Sequence, residues 1–180
     1  MRIATWNINS LNVRLPQLLD WLQANPVDEI GLQELKLTDD KFPFMELEAA
    51  GYHAVCHGQK TYNGVAILSR HPMHDVVRNI PGLEDDQARV IAATLDTPQG
   101  AVRLINCYFV NGQAPDSDKF LYKLRWLAAL EAFVKAEMAQ HPQLVLVGDF
   151  NVAPEDRDSY DPDGLRGTIH HTPEERAHFQ

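Results

Sequence analysis

Four short apolar runs, each ending on polar residues of catalytic type, constrain this chain more than any other feature. Ile3-Ala4-Thr5-Trp6 runs into Asn7 and Asn9, and Ile30-Gly31-Leu32 into Gln33-Glu34. Val102-Arg103-Leu104-Ile105 runs into Asn106 and Tyr108, and Leu144-Val145-Leu146-Val147-Gly148 into Asp149 and Asn151. Runs this short, bounded by turn residues, read as strands. Amphipathic segments alternate with them. Leu15 to Ala24 carries Leu15, Leu18, Leu19 and Leu22 at helical spacing, with Pro16 placed in its first turn. Phe44 to Ala50 reads as a short helix closed by Gly51. Phe120 to Gln140 repeats Phe120, Leu124, Leu127, Leu130, Val134 and Met138 near a 3.6-residue period. The rest supplies further strands, at Tyr52–Cys56, Gly64–Ser69, Val76-Val77, Arg89–Leu95 and Ala101–Tyr108, the last two joined by the turn Thr97-Pro98-Gln99-Gly100. The unbroken apolar Leu144 to Val147 predicts a strand buried on both faces. The class is α/β, in which functional groups gather where loops leave the strand ends.

Composition agrees with one globular domain. The 180 residues are 44% apolar and 23% charged, with a net charge of −9. That acidity argues against general polyanion binding, so a nucleic-acid role has to rest on a local basic patch or a metal. No apolar run reaches the roughly 18–20 residues of a membrane span. The start Met1-Arg2-Ile3-Ala4-Thr5 lacks the shape of a signal peptide, and Cys56 and Cys107 are the only cysteines. The expectation is a cytoplasmic protein with reduced thiols, Cys107 facing the core. After Pro154 the chain turns acidic, with seven Asp and Glu against three Arg in residues 155–180. It reads as a loop until Thr172-Pro173-Glu174-Glu175, which has the cap, Pro and N3 glutamate of a helix start.

Each polar residue has a purely structural reading. Asn7 suits a turn or cap, and Glu34 a surface pair with Lys36. Tyr108 suits core packing with a wet hydroxyl, and Asp149-Phe150-Asn151 an Asx turn. His170-His171 reads as a solvated pair in an acidic loop. Together, however, the four strand ends would bring Glu34 and Asp149 into one pocket with amides and a phenol. A pocket of oxygen donors without Cys or His suits Mg²⁺ or Mn²⁺.

At these residues the sequence resembles the bacterial exonuclease III and abasic-site endonuclease family, within the endonuclease/exonuclease/phosphatase superfamily. The blocks Thr5-Trp6-Asn7-Ile8-Asn9, Gln33-Glu34-Leu35-Lys36, Gly58-Gln59-Lys60, Ile105-Asn106-Cys107-Tyr108 and Gly148-Asp149-Phe150-Asn151 occur in family order. The resemblance implies a four-layer α/β sandwich, with two mixed sheets face to face and helices outside. It implies a metal-dependent hydrolase of double-stranded DNA, cleaving beside abasic sites and digesting 3′ ends, with Mg²⁺ as cofactor and Mn²⁺ as a substitute. Glu34 resembles the metal ligand, with Asn7, Asp149 and Asn151 beside it. Tyr108 resembles the phenol on the scissile phosphate. Asp149 resembles the carboxylate that orients or deprotonates water, and Asn151 the amide holding water and phosphate. Lys60, Arg89, Asn111 and Lys119 match DNA-contacting positions, Asn111 standing where relatives often carry Gln. A monomer is expected. The family continues with a second half bearing D-H and S-D-H blocks, which these residues do not contain. Residues 1–180 are therefore expected to be an endonuclease/exonuclease/phosphatase domain incomplete at its C-terminus and inactive as a bare fragment. The alternatives are a superfamily phosphatase or lipid phosphodiesterase, and a non-catalytic DNA-binding fragment.

Overall fold

The computed structural model describes residues 1–179. They form two compact units: residues 1–108 with 137–149, and residues 109–136 with the chain after 149.

The first unit is built on two four-stranded mixed sheets. In one, the order is β1 (Ile3–Asn7), β2 (Glu29–Gln33), β4 (Val65–Ser69), β3 (His53–His57). In the other it is β5 (Met73–Arg78), β6 (Val90–Thr97), β7 (Gly100–Tyr108), β8 (Leu144–Asp149). The first and last pairs, β1 with β2 and β7 with β8, are parallel. The period of two explains the layering. Val65 and Ile67 of β4 meet Ile91, Ala93, Leu95, Val102 and Leu104 of the second sheet. Ala66 and Leu68 point the other way, towards Leu11, Leu18 and Leu22 of α1 (Leu11–Ala24) and Leu47 of α2 (Phe44–Ala49). The expected α/β class with two mixed sheets is thus the one found.

Several expectations are corrected. Leu144 to Val147 is not buried on both faces among the described residues: every residue of β8 is half-buried, and its one sheet neighbour there is β7. The fully buried strands are β2 and β4, interior to the first sheet. An apolar run reports hydrophobicity, but two-sided burial also needs a strand on each flank. Helix α1 begins at Leu11, four residues earlier than expected, so Pro16 lies inside it rather than in its first turn. It removes the N–H that would bond the Asn12 carbonyl. Gly51 closes α2 as expected, with φ +86°.

The second unit contains most of α3 (Asp118–Gln140), α4 (Pro162–Leu165) and α5 (Pro173–Ala177). The expected acidic loop holds a 3-10 turn at Asp156–Asp158 and α4. Helix α5 starts where expected. Thr172 caps it, Pro173 occupies the first turn, and Glu175 completes a capping box. Phe109, Trp126, Phe150 and Phe179 form an edge-to-face chain at 5.0 to 5.3 Å between centroids. Among the described residues no helix is long and apolar enough to cross a membrane.

Candidate active site

In the first unit, four strand ends meet. Asn7 closes β1 and Glu34 follows β2, while Tyr108 closes β7 and Asp149 closes β8, paired in register with Tyr108. Glu34 does not continue the strand. It adopts φ +56°, and Lys36 φ +57°, a conformation non-glycine residues hold only when their surroundings fix it. Here the backbone is bonded on both sides. Ser10 N–H donates to the Glu34 carbonyl at 2.8 Å and Leu11 N–H to Leu35 at 3.0 Å. Leu35 and Lys36 donate to the carbonyls of Gly64 and Asn63.

Asp149 is brought level with Tyr108 by Gly148. A Cβ on Gly148 would lie 2.0 Å from the Cys107 carbonyl oxygen, so only glycine lets β8 pass β7 this closely. Asn106, two residues before Tyr108, is fully buried and points at the first sheet. Its amide donates to the carbonyls of Leu32 (2.9 Å) and Ala66 (2.8 Å), and its oxygen accepts from Gln33 Nε2 at 2.6 Å. Asn106 and Gln33, two of the polar residues at the strand ends, clasp the two sheets together. Cys107 faces the core, as expected, and burial pushes its thiol pKa up.

The side chains form one network. Asn7 Nδ2 donates to Asp149 Oδ2 at 2.8 Å and to Glu34 Oε1 at 3.1 Å. Its oxygen accepts from Asn9 N–H at 3.1 Å. Tyr108 OH donates to Glu34 Oε1 at 2.6 Å, and Lys36 Nζ lies 3.1 Å from Glu34 Oε2. Burial alone would raise the Glu34 pKa. The bonds from Tyr108, Asn7 and Lys36 outweigh it and hold the carboxyl below its ordinary value, so Glu34 stays ionised. Burial and the bond to Glu34 push the Tyr108 phenol up, keeping it a protonated donor. The guanidinium of Arg89 lies 5.0 Å over the Tyr108 ring and donates to its carbonyl at 3.1 Å. Gln87 Oε1 accepts from Arg89 at 2.7 and 2.9 Å. Arg89 is 8% exposed, so it braces the phenol, whereas Lys60 stands exposed in the loop between β3 and β4.

Among the described residues no three or more His, Cys, Asp and Glu gather as a metal-binding group. Glu34 and Asp149, linked through one amide, are the acidic pair available to a cation. The set contains no thiol or imidazole, which suits a hard ion such as Mg²⁺.

In the second unit, Asn151 has φ +44°. Its Nδ2 donates to the Phe109 carbonyl at 3.1 Å, and its own carbonyl accepts from Lys123 Nζ at 2.7 Å. Asn111 and Lys119 are exposed. His170 and His171 are half-buried and hydrogen-bonded rather than solvated: His170 Nδ1 is 2.5 Å from the Asn151 carbonyl, and His171 Nε2 2.6 Å from Ser159 Oγ. Sequence patterns alone miss Gln87, Lys123 and the pairing of Lys123 with Glu175. For Lys123 a signal exists, since it lies three residues after Phe120 and four before Leu127, inside the apolar stripe of α3.

Residues 4–178 match the Endonuclease/Exonuclease/phosphatase family. The chain is 36% identical over 188 residues to exodeoxyribonuclease III of Haemophilus influenzae, covering 100% of this chain and 70% of that one. It superposes on a 3′ phosphatase, NExo, from Neisseria bound to a product DNA hairpin. The TM-score is 0.95 at 55% identity, covering 100% of this chain and 69% of that one. An AP endonuclease from Archaeoglobus fulgidus superposes with a TM-score of 0.92 at 34% identity, over 99% and 68% of the two chains.

Proposed function

The chain belongs to the Endonuclease/Exonuclease/phosphatase family, and from that premise we propose that it is the catalytic part of a Mg²⁺-dependent DNA repair hydrolase acting on phosphate esters in duplex DNA. The observation that carries this is the network of Glu34, Asn7, Asp149 and Tyr108 at adjoining strand ends. Its substrates are double-stranded DNA at 3′ ends and abasic sites, and it acts as a monomer. The relatives named for 3′ ends share 55% identity with the chain and the AP endonuclease 34%, which favours 3′-end processing, including removal of a 3′ phosphate, over abasic-site incision.

Phosphate esters resist hydrolysis because their charge repels the nucleophile. Glu34, beside Asp149, would hold Mg²⁺, whose charge would steady the phosphate and the departing oxygen when bound. Asn7 spaces the two carboxylates through its nitrogen, and Lys36 fixes the outer oxygen of Glu34. Asp149 orients water and accepts its proton. Tyr108, kept protonated, turns its O–H from Glu34 to a phosphate oxygen, adding a neutral donor where negative charge grows. Lys60 contacts the DNA backbone, an added local cation on an acidic chain. In the second unit we assign Asn151 to the phosphate and Asn111 and Lys119 to the DNA backbone.

The test is the purified protein at its natural length, offered duplexes with a recessed 3′ end, a 3′ phosphate or an abasic site. Cleavage that appears with Mg²⁺, disappears with EDTA and is strongest at 3′ ends is the expected result. Binding without hydrolysis of any of the three would overturn the reading.

A further inference from the structure

The second unit contains an ion pair with no exposure at all. Lys123 on α3 and Glu175 on α5 are both fully buried and in direct contact. An ammonium has three protons to donate, and Lys123 Nζ faces Glu175, the carbonyls of Asn111 and Asn151, and His170 Nδ1 at 3.4 Å. Besides Glu175, Nζ donates to the Asn151 carbonyl at 2.7 Å and the Asn111 carbonyl at 3.2 Å. Glu175 is anchored in turn. Its Oε2 accepts from Thr172 N–H (3.1 Å) and Thr172 Oγ1 (2.7 Å), and its Oε1 from His170 N–H (3.1 Å).

The backbone is shaped around the lysine. Gly112, next to Asn111, has φ +89°, and a Cβ there would lie 2.9 Å from Lys123 Cδ. Asn151 holds φ +44°, a conformation that persists only when outside contacts impose it. A buried ion pair is weak evidence for stability, since well-packed apolar residues commonly do as well. Its other possible contribution is to fix geometry, and here the cation fixes two main-chain carbonyls.

We propose that the Lys123–Glu175 pair is a positioning device that holds the main chain at Asn111 and Asn151 in the conformation these residues need against DNA. Their assignment to DNA and phosphate rests on the function proposed above. Neither Lys123 nor Glu175 touches substrate.

The experiment compares wild type with K123M/E175L, which removes both charges at similar volume, and with K123R, which keeps the charge but changes the donor geometry. All are made in the protein at its natural length. Amide hydrogen exchange is read at Gly112, Asn151 and Val152, and kcat and KM are measured on the best duplex substrate. For both variants the expected result is faster exchange confined to those amides and a kcat lower by about 10–100-fold, the range for residues that orient catalytic groups, with KM within about threefold. In the double variant, N151A should cost little more, because residues acting as a unit are not additive. Unchanged exchange and kcat in a folded variant, or a fully additive N151A effect, overturns the proposal. Should K123M/E175L not fold, K123R decides. If wild type cleaves no DNA, the function reading fails, while the exchange data still decide whether Lys123 holds these two segments.

Discussion

One five-residue strand carries a glutamate at its start and another just past its end, and the fold uses them in opposite ways. Glu29 opens β2, is fully buried, and has His71 Nδ1 at 2.6 Å. Burial raises its pKa despite the bonds from Ser69 and His71. Glu34 is also partly buried, yet the donors around it lower its pKa. The difference is supply. Glu29 has a neighbour that ties a strand start to the turn after β4. Glu34 has Tyr108, Asn7 and Lys36, more positive and donating character than one carboxylate needs. An ionised group so provided can exchange a partner for a ligand, whereas Glu29 has nothing to spare.

The comparison can be broken by changing its members, beginning with the largest effect. D149N keeps the size of the group that shares Asn7 with Glu34 but cannot accept a proton. Single-turnover cleavage should fall by about 10²–10⁴-fold, with DNA affinity measured in parallel nearly unchanged. An affinity that collapses while the bound rate survives would make Asp149 structural. E34Q should lower Mg²⁺-dependent cleavage by more than about 100-fold, beyond the loss seen for residues that only orient ligands. E29Q should leave the rate within about twofold and change stability by about 1 kcal/mol. Equal losses of activity from the two substitutions would erase the distinction between the ends of the strand.

Y108F removes one donor from Glu34 and one from the phosphate. A fall in kcat of about 10²-fold is expected, the loss typical of one transition-state donor, with little change in melting temperature. The smallest effect lies in the acid limb of stability, measured in EDTA. Because the Glu29 pKa is raised, its contribution is full below the ordinary value of 4.5 and declines as pH rises through the folded value. Because the Glu34 pKa is lowered, its contribution is full above 4.5 and is lost as pH falls through the folded value. Melting curves of E29Q and E34Q against pH should therefore depart from wild type with opposite slopes.

Both ends of that strand, and much of the rest of the fold, are legible in the amino-acid sequence. Apolar runs and turn residues locate the strands within a few residues, because hydrophobic periodicity is a local signal. The capping box at Thr172 and the glycine cap at Gly51 are local as well. The four strand ends are legible because each carries its polar residue directly after its apolar run. What sequence patterns miss depends on distant partners. Leu144 to Val147 looks like a strand buried on both faces, and only its neighbours among the described residues show it half-buried. The burial of Arg89 is not legible either, since it comes from packing over the Tyr108 ring and bonding to Gln87. Glu175 reads as the N3 residue of a cap, and nothing local joins it to Lys123, 52 residues away. Asn106 reads only as a polar residue after an apolar run, because its partners, Leu32 and Ala66, are backbone groups that no sequence pattern identifies.

That amide has a consequence for the way the first unit can move. Two apolar sheets in contact are held by a force without direction, so a small slide of one over the other costs little buried area. Such a pair would have several nearly equivalent seatings. Asn106 removes the degeneracy. In any slid arrangement its amide and the carbonyls of Leu32 and Ala66 are stranded in the interior, at about 1–3 kcal/mol for each unpaired group. One seating is then separated from its rivals by a gap, which is what gives a landscape a single minimum. The clasp also lies one residue from Glu34 on one sheet, through Gln33, and two from Tyr108 on the other. The seating of the sheets and the spacing between carboxylate and phenol are consequently a single mechanical coordinate, fixed by an interior amide before any substrate arrives.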